Sequence, residues 1–493
     1  MNNMTDDGNR AEQRKKRRRK ERFRALAIVG GILVAAVLVL VLVIGGAVKL
    51  LSPKKAEGGK TEVSAKSEET ESVADADDSA STDEAESDPE DSEDVDSEEG
   101  NSEEGDTSDS EDEDGDKESD KDSGKEKKKE PAEKVAGVAL SEEELAALDE
   151  QITQNIAGMS LEEKIAKMFI VSPGQLIGTE IEPKSLGGSF SEKLSTYPVS
   201  GILIKPANIG TEEEFASFLS TLGMMQSNYM FLAVEEEGGE ESPFVSSGIT
   251  ENVISSQKEV GESLGNAGAY SAGISIGGEL KNYGINLDLA PTTDVSERSG
   301  SYAFSHGFGT DKATTVDLSK NMIRGLEDQG IFSVVKSFPG YGDVNGNGSG
   351  GTVSTQKTRE QLVDMRDIYM ESIKAGGDML MISHVGVPKV RKDQRPASMS
   401  EEVITGIVRE EWGYDGVVIT DYLDRSCIYS EYTYADAAVG AVEAGADILL
   451  STKNFQKSYD GLMSAVKSKK ISEERIDESV RRIMRLLYQL EQQ

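Results

Sequence analysis

The sequence predicts an α/β protein whose folded part is a (β/α)8 barrel of the TIM type, preceded by one transmembrane helix and a disordered acidic linker. Over residues 137–493, short apolar stretches rich in β-branched residues alternate with stretches that have helical periodicity. The apolar stretches are nearly continuous, which is typical of parallel strands covered on both faces. No glycine-rich phosphate-binding motif follows the first strands, so a dinucleotide-binding sheet is disfavoured.

The N-terminal segment has the features of a signal anchor. Residues 1–56 contain 13 Lys or Arg and 4 Asp or Glu, a net charge of +9, and residues 25–48 carry no charge. As a helix this run would extend roughly 36 Å, enough to cross a hydrocarbon core of about 30 Å. Because basic flanks stay inside, we predict a cytoplasmic tail at 1–24, a single transmembrane helix at 25–48 in the cell membrane, and an extracellular barrel. A cleaved signal peptide is the alternative, although its apolar region usually has only about 7–15 residues.

Residues 49–136 are predicted to be a disordered linker rich in Asp, Glu and Ser. Within it, residues 57–130 carry a net charge of −25, one proline and no aromatic residue. Such a chain repels itself and buries too little apolar surface to offset its ordering entropy. We interpret it as a spacer between the membrane and the barrel, with calcium or partner binding as the alternative.

The composition of the remaining domain excludes several classes of function. Residues 131–493 carry a net charge of −22, which argues against nucleic acid as a partner. The single cysteine, Cys427, excludes an internal disulfide framework, and we expect it to be buried rather than nucleophilic. Two histidines and one cysteine argue against a transition-metal site, and no cofactor is implied.

Helix and strand signals follow one another through this domain. Capping boxes at Ser141 with Glu144 and at Ser160 with Glu163 predict the first two helices, and apolar residues at helical spacing from Ile476 to Leu487 predict the last. The predicted strands are 168–171, 201–205, 230–235, 285–291, 333–336, 378–384, 416–421 and 447–451.

Charged residues or a histidine stand at or just past the ends of six of these strands. In chain order they are Lys205, Glu235 with Glu237, Asp294, Lys336, His384 and Asp421. In a barrel the carboxyl ends of the strands converge on one face, where active sites form. The sequence therefore predicts a polar pocket for a carbohydrate-like or anionic ligand.

Four motifs, in order along the chain, resemble glycoside hydrolase family 3, and within it the single-domain bacterial β-N-acetylhexosaminidases. They are AVEEEGG at 233–239, GINLDLAP at 284–291, KSFPGYGD at 336–343 and GVVITD at 416–421. The resemblance implies retaining hydrolysis of β-linked N-acetylhexosamine glycans, here of the cell wall, with Asp421 as nucleophile and a separate acid/base. We predict that the sugar is bound by Glu235, Asp294, His306, Lys336 and His384.

The sequence departs from the family pattern at the acid/base. The family carries an Asp-Ser-His dyad on the loop after its Lys-His-Phe-Pro-Gly-His-Gly-Asp motif. By loop position, Asn347 and Ser349 stand here in place of the Asp and the His, and neither transfers a proton near pH 7. Sugar-contacting positions differ too: Ser337 replaces a His, His306 an Arg, Glu235 an Asp and Glu240 an Arg.

Three hypotheses remain open at this point. The first is a working glycosidase with an altered substrate and a replacement acid/base, since losing proton transfer alone costs only about 10²- to 10⁴-fold in rate. Its candidates for the acid/base are Glu235, Glu236, Glu237, Glu240, Asp343 and His306. The second is a catalytically inactive relative that binds wall glycan, and the third is a structural partner in a surface complex. An open acidic pocket would disfavour the third.

Overall fold

The computed structural model of the protein describes residues 142–225 and 230–492. The predicted cytoplasmic tail, transmembrane helix and acidic linker lie outside these residues, as does Ser141 of the first predicted capping box. No helix in the described ranges is long and apolar enough to cross a membrane.

Eight parallel strands form the centre of the domain. They are β1 (Phe169–Val171), β2 (Gly201–Leu203), β3 (Phe231–Val234), β4 (Leu287–Asp288), β5 (Phe332–Phe338), β6 (Met379–Ile382), β7 (Val417–Thr420) and β8 (Leu449–Leu450). From β1 to β7 each strand pairs with the next in the chain, and β8 pairs with β1. A parallel bridge between Ile419 and Ile448 joins β7 to the residue before β8 and closes the ring. The predicted barrel and all eight predicted strands are confirmed, with shorter strands in most cases.

Helices fill the connections between the strands. The α-helices are Glu142–Gly158, Leu161–Lys167, Pro173–Ile177, Gly188–Thr196, Glu212–Met225, Pro243–Ser246, Gln257–Glu259, Gly265–Asn282, Tyr302–His306, Lys312–Gln329, Arg359–Val363, Arg366–Lys374, Ser426–Tyr429, Tyr434–Ala444, Phe455–Lys467 and Glu473–Gln492. Val260–Leu264 and Glu402–Glu411 are π-helical, and Pro206–Asn208 and Ala397–Met399 are 3₁₀ turns. The second predicted capping box is confirmed, because Glu163 N–H donates to Ser160 Oγ at 3.2 Å and Ser160 N–H donates to Glu163 Oε2 at 2.8 Å.

The side-chain alternation of the strands places polar residues on top of the barrel interior. The interior cluster includes Leu203, Ala233, Val334 and Ile419, while the intervening residues pack outward against the helices. Successive side chains of a strand point to opposite faces, so the residue two positions further on continues inward. Two positions after Leu203, Ala233, Val334 and Ile419 stand, respectively, Lys205, Glu235, Lys336 and Asp421.

The last helix, Glu473–Gln492, closes the opposite end. The predicted final helix is confirmed, and its Ile483, Leu486 and Leu487 belong to the same apolar cluster as the barrel interior. Arg482 pairs with Asp415 and Asp447, which precede β7 and β8. The N-terminal end of the barrel is therefore covered, and the polar carboxyl ends of the strands are left as the place for a binding site.

Candidate active site

Asp421 is the first residue after β7 and is 1% exposed. Its Oδ1 accepts hydrogen bonds from the Tyr422 backbone N–H at 2.7 Å and from Arg425 Nε at 3.1 Å. Its Oδ2 accepts the hydroxyl hydrogen of Tyr341 at 2.6 Å. Burial raises the pKa of Asp421, but the charge of Arg425 and the hydrogen bonds outweigh burial and hold the pKa below its ordinary value. The carboxylate is therefore ionised at neutral pH.

A second charged cluster forms around Lys336, on β5. Its ammonium donates to Glu235 Oε1 and lies 3.1 Å from Glu237 Oε1. Burial lowers the pKa of Lys336, but the two carboxylates raise it above the usual value. Burial raises the pKa of Glu237, and Lys336 with His306 reverses this and brings it to about 2. Glu237 and Lys336 are thus both ionised at neutral pH, and the attraction between their opposite charges offsets the cost of burying them.

Tyr422 joins the two clusters. Its hydroxyl donates to Glu235 Oε2 at 2.8 Å, and its backbone N–H donates to Asp421. Its carbonyl oxygen lies 2.9 Å from His384 Nε2, which must then carry the proton, while His384 Nδ1 lies 2.7 Å from Ser398 Oγ. Burial lowers the pKa of His384. His384 is therefore a neutral support behind Tyr422.

Asp294 supports the KSFPGYGD loop from below. Its carboxylate accepts the backbone N–H of Ser337 at 2.8 Å and that of Tyr341 at 2.7 Å. Burial raises the pKa of Asp294 to about 6, against the lowering effect of these bonds. Its oxygens are engaged with the protein chain, so this placement favours a supporting role over the predicted sugar contact.

An acidic cleft lies above these buried groups. A cavity of about 620 Å³ includes in its wall Lys205, Glu235, Glu237, Glu240, Glu241, Tyr302, His306 and Asp424. A neighbouring cavity of about 440 Å³ shares Glu235, Tyr302, Tyr422 and Asp424 with it and reaches Asn347, Ser349 and Arg425. Lys205 pairs with Asp424 at 2.9 Å. The predicted polar pocket is present, and Asp421, Lys336, Asp294 and His384 lie beneath its surface.

The loop that holds Asn347 and Ser349 is docked beside Asp421. Ser349 Oγ accepts a hydrogen bond from Arg425 Nη1 at 3.1 Å, and the Ser349 carbonyl accepts one from Ser426 Oγ at 2.6 Å. The Cys427 N–H donates to the Gly348 carbonyl at 3.1 Å, and Cys427 is buried as predicted. The loop therefore lies close to the candidate nucleophile, with Arg425 between Ser349 and the carboxylate.

The six acid/base candidates differ in what they face. Glu236 accepts the Ser242 hydroxyl at 2.5 Å and the Gly238 N–H at 2.7 Å, and burial raises its pKa to about 7. Asp343 is paired with Lys357 at 2.9 Å. Neither of the two lines the cleft, whereas Glu237 lines it but is kept ionised by Lys336 and His306, with a pKa of about 2. The candidates left on the cleft wall are Glu235, Glu240 and His306, whose ring stacks on Tyr302 with centroids 3.9 Å apart.

Four side chains of the site were not predicted from the sequence. Tyr341 lies within the quoted KSFPGYGD motif, and Tyr422 and Arg425 follow Asp421 by one and four residues. Tyr302 stands near Ser305 and His306 in a short helix. The sequence shows that each of these residues is close to a predicted site residue along the chain. It does not show which of them point into the site.

Comparisons with known proteins agree with this geometry. The model of the glycosyl hydrolase family 3 N-terminal domain matches residues 160–486. β-Hexosaminidase A of Pseudoalteromonas piscicida is 27% identical over 339 residues, which are 62% of this chain and 56% of that protein. β-Hexosaminidase LpqI of Mycobacterium tuberculosis is 26% identical over 303 residues, 59% of this chain and 76% of that protein.

A solved structure shares the fold at similar identity. The glycoside hydrolase family 3 β-N-acetylglucosaminidase from Paenibacillus sp. str. FPU-7 superposes with a TM-score of 0.61 at 29% identity, covering 68% of this chain and 63% of that one. The matched part of this chain thus spans less than two thirds of the length of that protein and of the Pseudoalteromonas enzyme.

Proposed function

The chain belongs to glycosyl hydrolase family 3, and on that premise we propose that it is a glycosidase of β-linked N-acetylhexosamine glycans with Asp421 as nucleophile. One observation carries the proposal. An ionised carboxylate stands at the end of β7, in the GVVITD motif, directly under a polar cleft. A buried carboxylate kept charged by its neighbours is typical of a catalytic group.

The expected chemistry is a double displacement with retention of configuration. Asp421 attacks the anomeric carbon and forms a glycosyl ester, and water then releases the sugar. Glu235 is the acceptor that the cleft offers to sugar hydroxyls, because its side chain is 32% exposed and lines both cavities. Lys336 neutralises the charge of Glu235 from below and fixes its orientation.

The site lacks the usual group that protonates the leaving group. Asn347 and Ser349 stand at the positions of the family dyad and supply no acid near pH 7. Four of the candidates line the cleft, and Glu235, Glu240 and His306 are left once Glu237 is set aside because its pKa of about 2 keeps it ionised. We propose that substrates with activated leaving groups are hydrolysed far faster than natural disaccharides, and that one of these three supplies the slow proton transfer.

We further propose that the enzyme works outside the cell, on wall glycan, tethered to the membrane. The basic flank and uncharged run of residues 1–48 and the acidic segment that follows support this. Protease added to intact cells should remove the barrel and leave a membrane-bound N-terminal fragment. Protection of the barrel from protease would contradict the orientation.

A second candidate is a catalytically inactive glycan-binding protein. The observation that favours it is that Asp421 is 1% exposed with both oxygens engaged, next to a loop without a proton donor. The open acidic cleft disfavours the third hypothesis, a purely structural partner.

The deciding experiment compares the wild-type chain with Asp421→Ala on aryl β-N-acetylglucosaminide and other aryl glycosides. Asp415→Ala is the matched control, because Asp415 is an exposed carboxylate at the opposite end of the barrel. We expect turnover that Asp421→Ala abolishes and Asp415→Ala retains. No turnover of any aryl glycoside, together with measurable binding of chitin oligosaccharides by calorimetry, would favour the inactive binder instead.

A further inference from the structure

Arg425 contacts Asp421 and has no role in the chemistry described so far. We propose that Arg425 is a positioning residue that selects which oxygen of Asp421 reacts and eases the release of the sugar from it. The inference rests on the proposed function, since it concerns the ester that Asp421 would form.

The hydrogen bonds around Asp421 leave one acceptor position of its carboxylate unused. An ionised carboxylate has about four acceptor positions, two on each oxygen. Oδ1 uses both of its positions, for the Tyr422 N–H and for Arg425 Nε. Oδ2 uses one, for the Tyr341 hydroxyl. The reacting oxygen is therefore Oδ2, and Arg425 holds Oδ1 as the future carbonyl oxygen of the ester.

The position of Arg425 is fixed from two sides. Its Nε meets Asp421 Oδ1 at 3.1 Å and its Nη1 meets Ser349 Oγ at 3.1 Å, and the side chain is 14% exposed. The guanidinium also lies 5.3 Å from the centre of the Tyr422 ring. Because the guanidinium group is planar and pre-organised, each of these hydrogen bonds costs less side-chain entropy than the same bond from a lysine would.

Among the residues that the structure describes, Arg425 is the cationic side chain that contacts the Asp421 carboxylate. The other groups that face Asp421 are Tyr341 from the loop after β5, His384 from after β6, Tyr422 from its own segment and Cys427 from the helix that follows. Asp424 faces His384. Glu235, just past β3, and Tyr302, in the helix Tyr302–His306, face the same pocket. The tyrosines and His384 are neutral, and Asp424 is paired with Lys205.

The charge of Arg425 acts in opposite directions on the two chemical steps. In the first, the electron pair of Oδ2 bonds to the anomeric carbon, and the bond to an aryl leaving group breaks and expels phenolate. The carboxylate thereby loses its charge, and Arg425 loses an ion-pair partner. In the second, water oxygen bonds to the anomeric carbon, the ester bond returns its electron pair to Asp421, and the water proton goes to solvent. Arg425 favours this second step because it stabilises the departing carboxylate.

The test uses the full-length protein and an aryl glycoside, with Arg425→Met, Arg425→Lys and Ser349→Ala. In Arg425→Met we expect the acid limb of the kcat/KM profile to move up by about 1–3 pH units, as loss of a neighbouring opposite charge does. We also expect a larger pre-steady-state burst, and a larger fraction of protein that carries the mass of one glycosyl residue, than in wild type. Arg425→Lys, which keeps the charge, should remain close to wild type in the acid limb. Ser349→Ala should keep the wild-type acid limb and the wild-type burst.

An acid limb and a burst unchanged from wild type in Arg425→Met would overturn the inference, and so would an equal shift in Ser349→Ala, which would assign the effect to the loop. If Arg425→Met does not fold, Arg425→Gln keeps a donor without the charge and is expected to show the same shift and burst. Wild type without turnover would remove the proposed function and this inference together. If wild type is active and neither Arg425→Met nor Arg425→Gln changes the acid limb or the burst, the inference fails and the proposed function stands.

Discussion

Tyr341 and Asp421 are 80 residues apart in the chain, and their side chains meet at 2.6 Å between the phenol oxygen and Oδ2. The same hydroxyl accepts the backbone N–H of His384 at 3.0 Å, and the backbone N–H of Tyr341 donates to Asp294 at 2.7 Å. Three strand ends are thus joined through one tyrosine. This contact orients Asp421 and makes the KSFPGYGD loop part of the site.

Tyr341→Phe removes the hydrogen bond to the charged carboxylate and leaves the ring in place. A hydrogen bond to a charged group contributes about 1.5–3 kcal/mol, so kcat/KM on an aryl glycoside should fall by about 10- to 100-fold. Tyr369→Phe is the matched control, because the Tyr369 hydroxyl bonds to Asp294 and the Ser337 carbonyl instead of Asp421. Equal losses in the two variants would show that the contact with Asp421 has no special role.

Gly348→Ala should release the loop that carries Asn347 and Ser349. The backbone at Gly348 has φ +85°, and an added Cβ would lie 2.7 Å from Cys427 Sγ. The strain should exceed about 1 kcal/mol. Burial raises the pKa of the Cys427 thiol to about 12, so this sole cysteine should react slowly with a thiol reagent in wild type and much faster in Gly348→Ala.

Gly350→Ala serves as the control for the loop, because an added Cβ there has no atom within 4 Å. It should leave the labelling rate of Cys427 at the wild-type value. Slow labelling in both variants would mean that the loop tolerates a side chain at Gly348 and is less tightly docked than its contacts indicate.

Glu236 makes the stability of the fold depend on pH. Burial raises its pKa to about 7, so between about pH 4.5 and pH 7 the folded protein binds more protons than the unfolded chain, and stability falls as pH rises. Glu236→Gln resembles the protonated form and should lose less stability than wild type from pH 5 to pH 8, by on the order of 2 kcal/mol.

Urea unfolding at the two pH values measures this difference. Glu240→Gln, an exposed carboxylate four residues away, should follow the wild type. The assignment would be wrong if Glu236→Gln and wild type lost the same free energy of unfolding over this range.

Asp447 should contribute strongly to the stability of the fold at the N-terminal end of the barrel. It is fully buried and paired with Arg409 at 2.6 Å and Arg482 at 3.2 Å, and its carboxylate also accepts the Ser479 hydroxyl. Asp447→Ala removes the buried carboxylate that these partly buried arginines share and should lower the free energy of unfolding by about 3–5 kcal/mol.

Asp415→Ala breaks a contact with the same Arg482, but Asp415 is largely exposed. Surface pairs contribute about 0–1 kcal/mol, so its thermal unfolding should stay close to wild type. A small effect of Asp447→Ala would show that Arg409 and Arg482 find other acceptors.

The barrel could be predicted from the sequence because its signals are local. Ile170, Leu203 and Ala233 lie in short apolar stretches, and the alternation along each strand decides which face every residue occupies. The same alternation placed Lys205, Glu235, Lys336 and Asp421 above the interior, so their convergence was also predictable.

The partners of these residues were not predictable in the same way. Arg425 is one of many arginines, and nothing local shows that it turns back onto Asp421 rather than outward. Asp294 was predicted from its place after a strand to bind sugar, yet the structure turns its carboxylate to the backbone of the next loop. Both outcomes depend on loop paths and rotamers fixed by residues far away in the chain.

The sequence by itself determined the eight-stranded barrel, the family and the rim on which the site lies, because hydrophobic periodicity and motif order are carried by neighbouring residues. Tertiary structure alone decided which oxygen of Asp421 accepts one hydrogen bond and which accepts two, which candidates face the cleft, and how the loop at Ser349 contacts Arg425. Those features depend on distances of about 3 Å between side chains from different strands, and such distances exist once the ring of strands has closed.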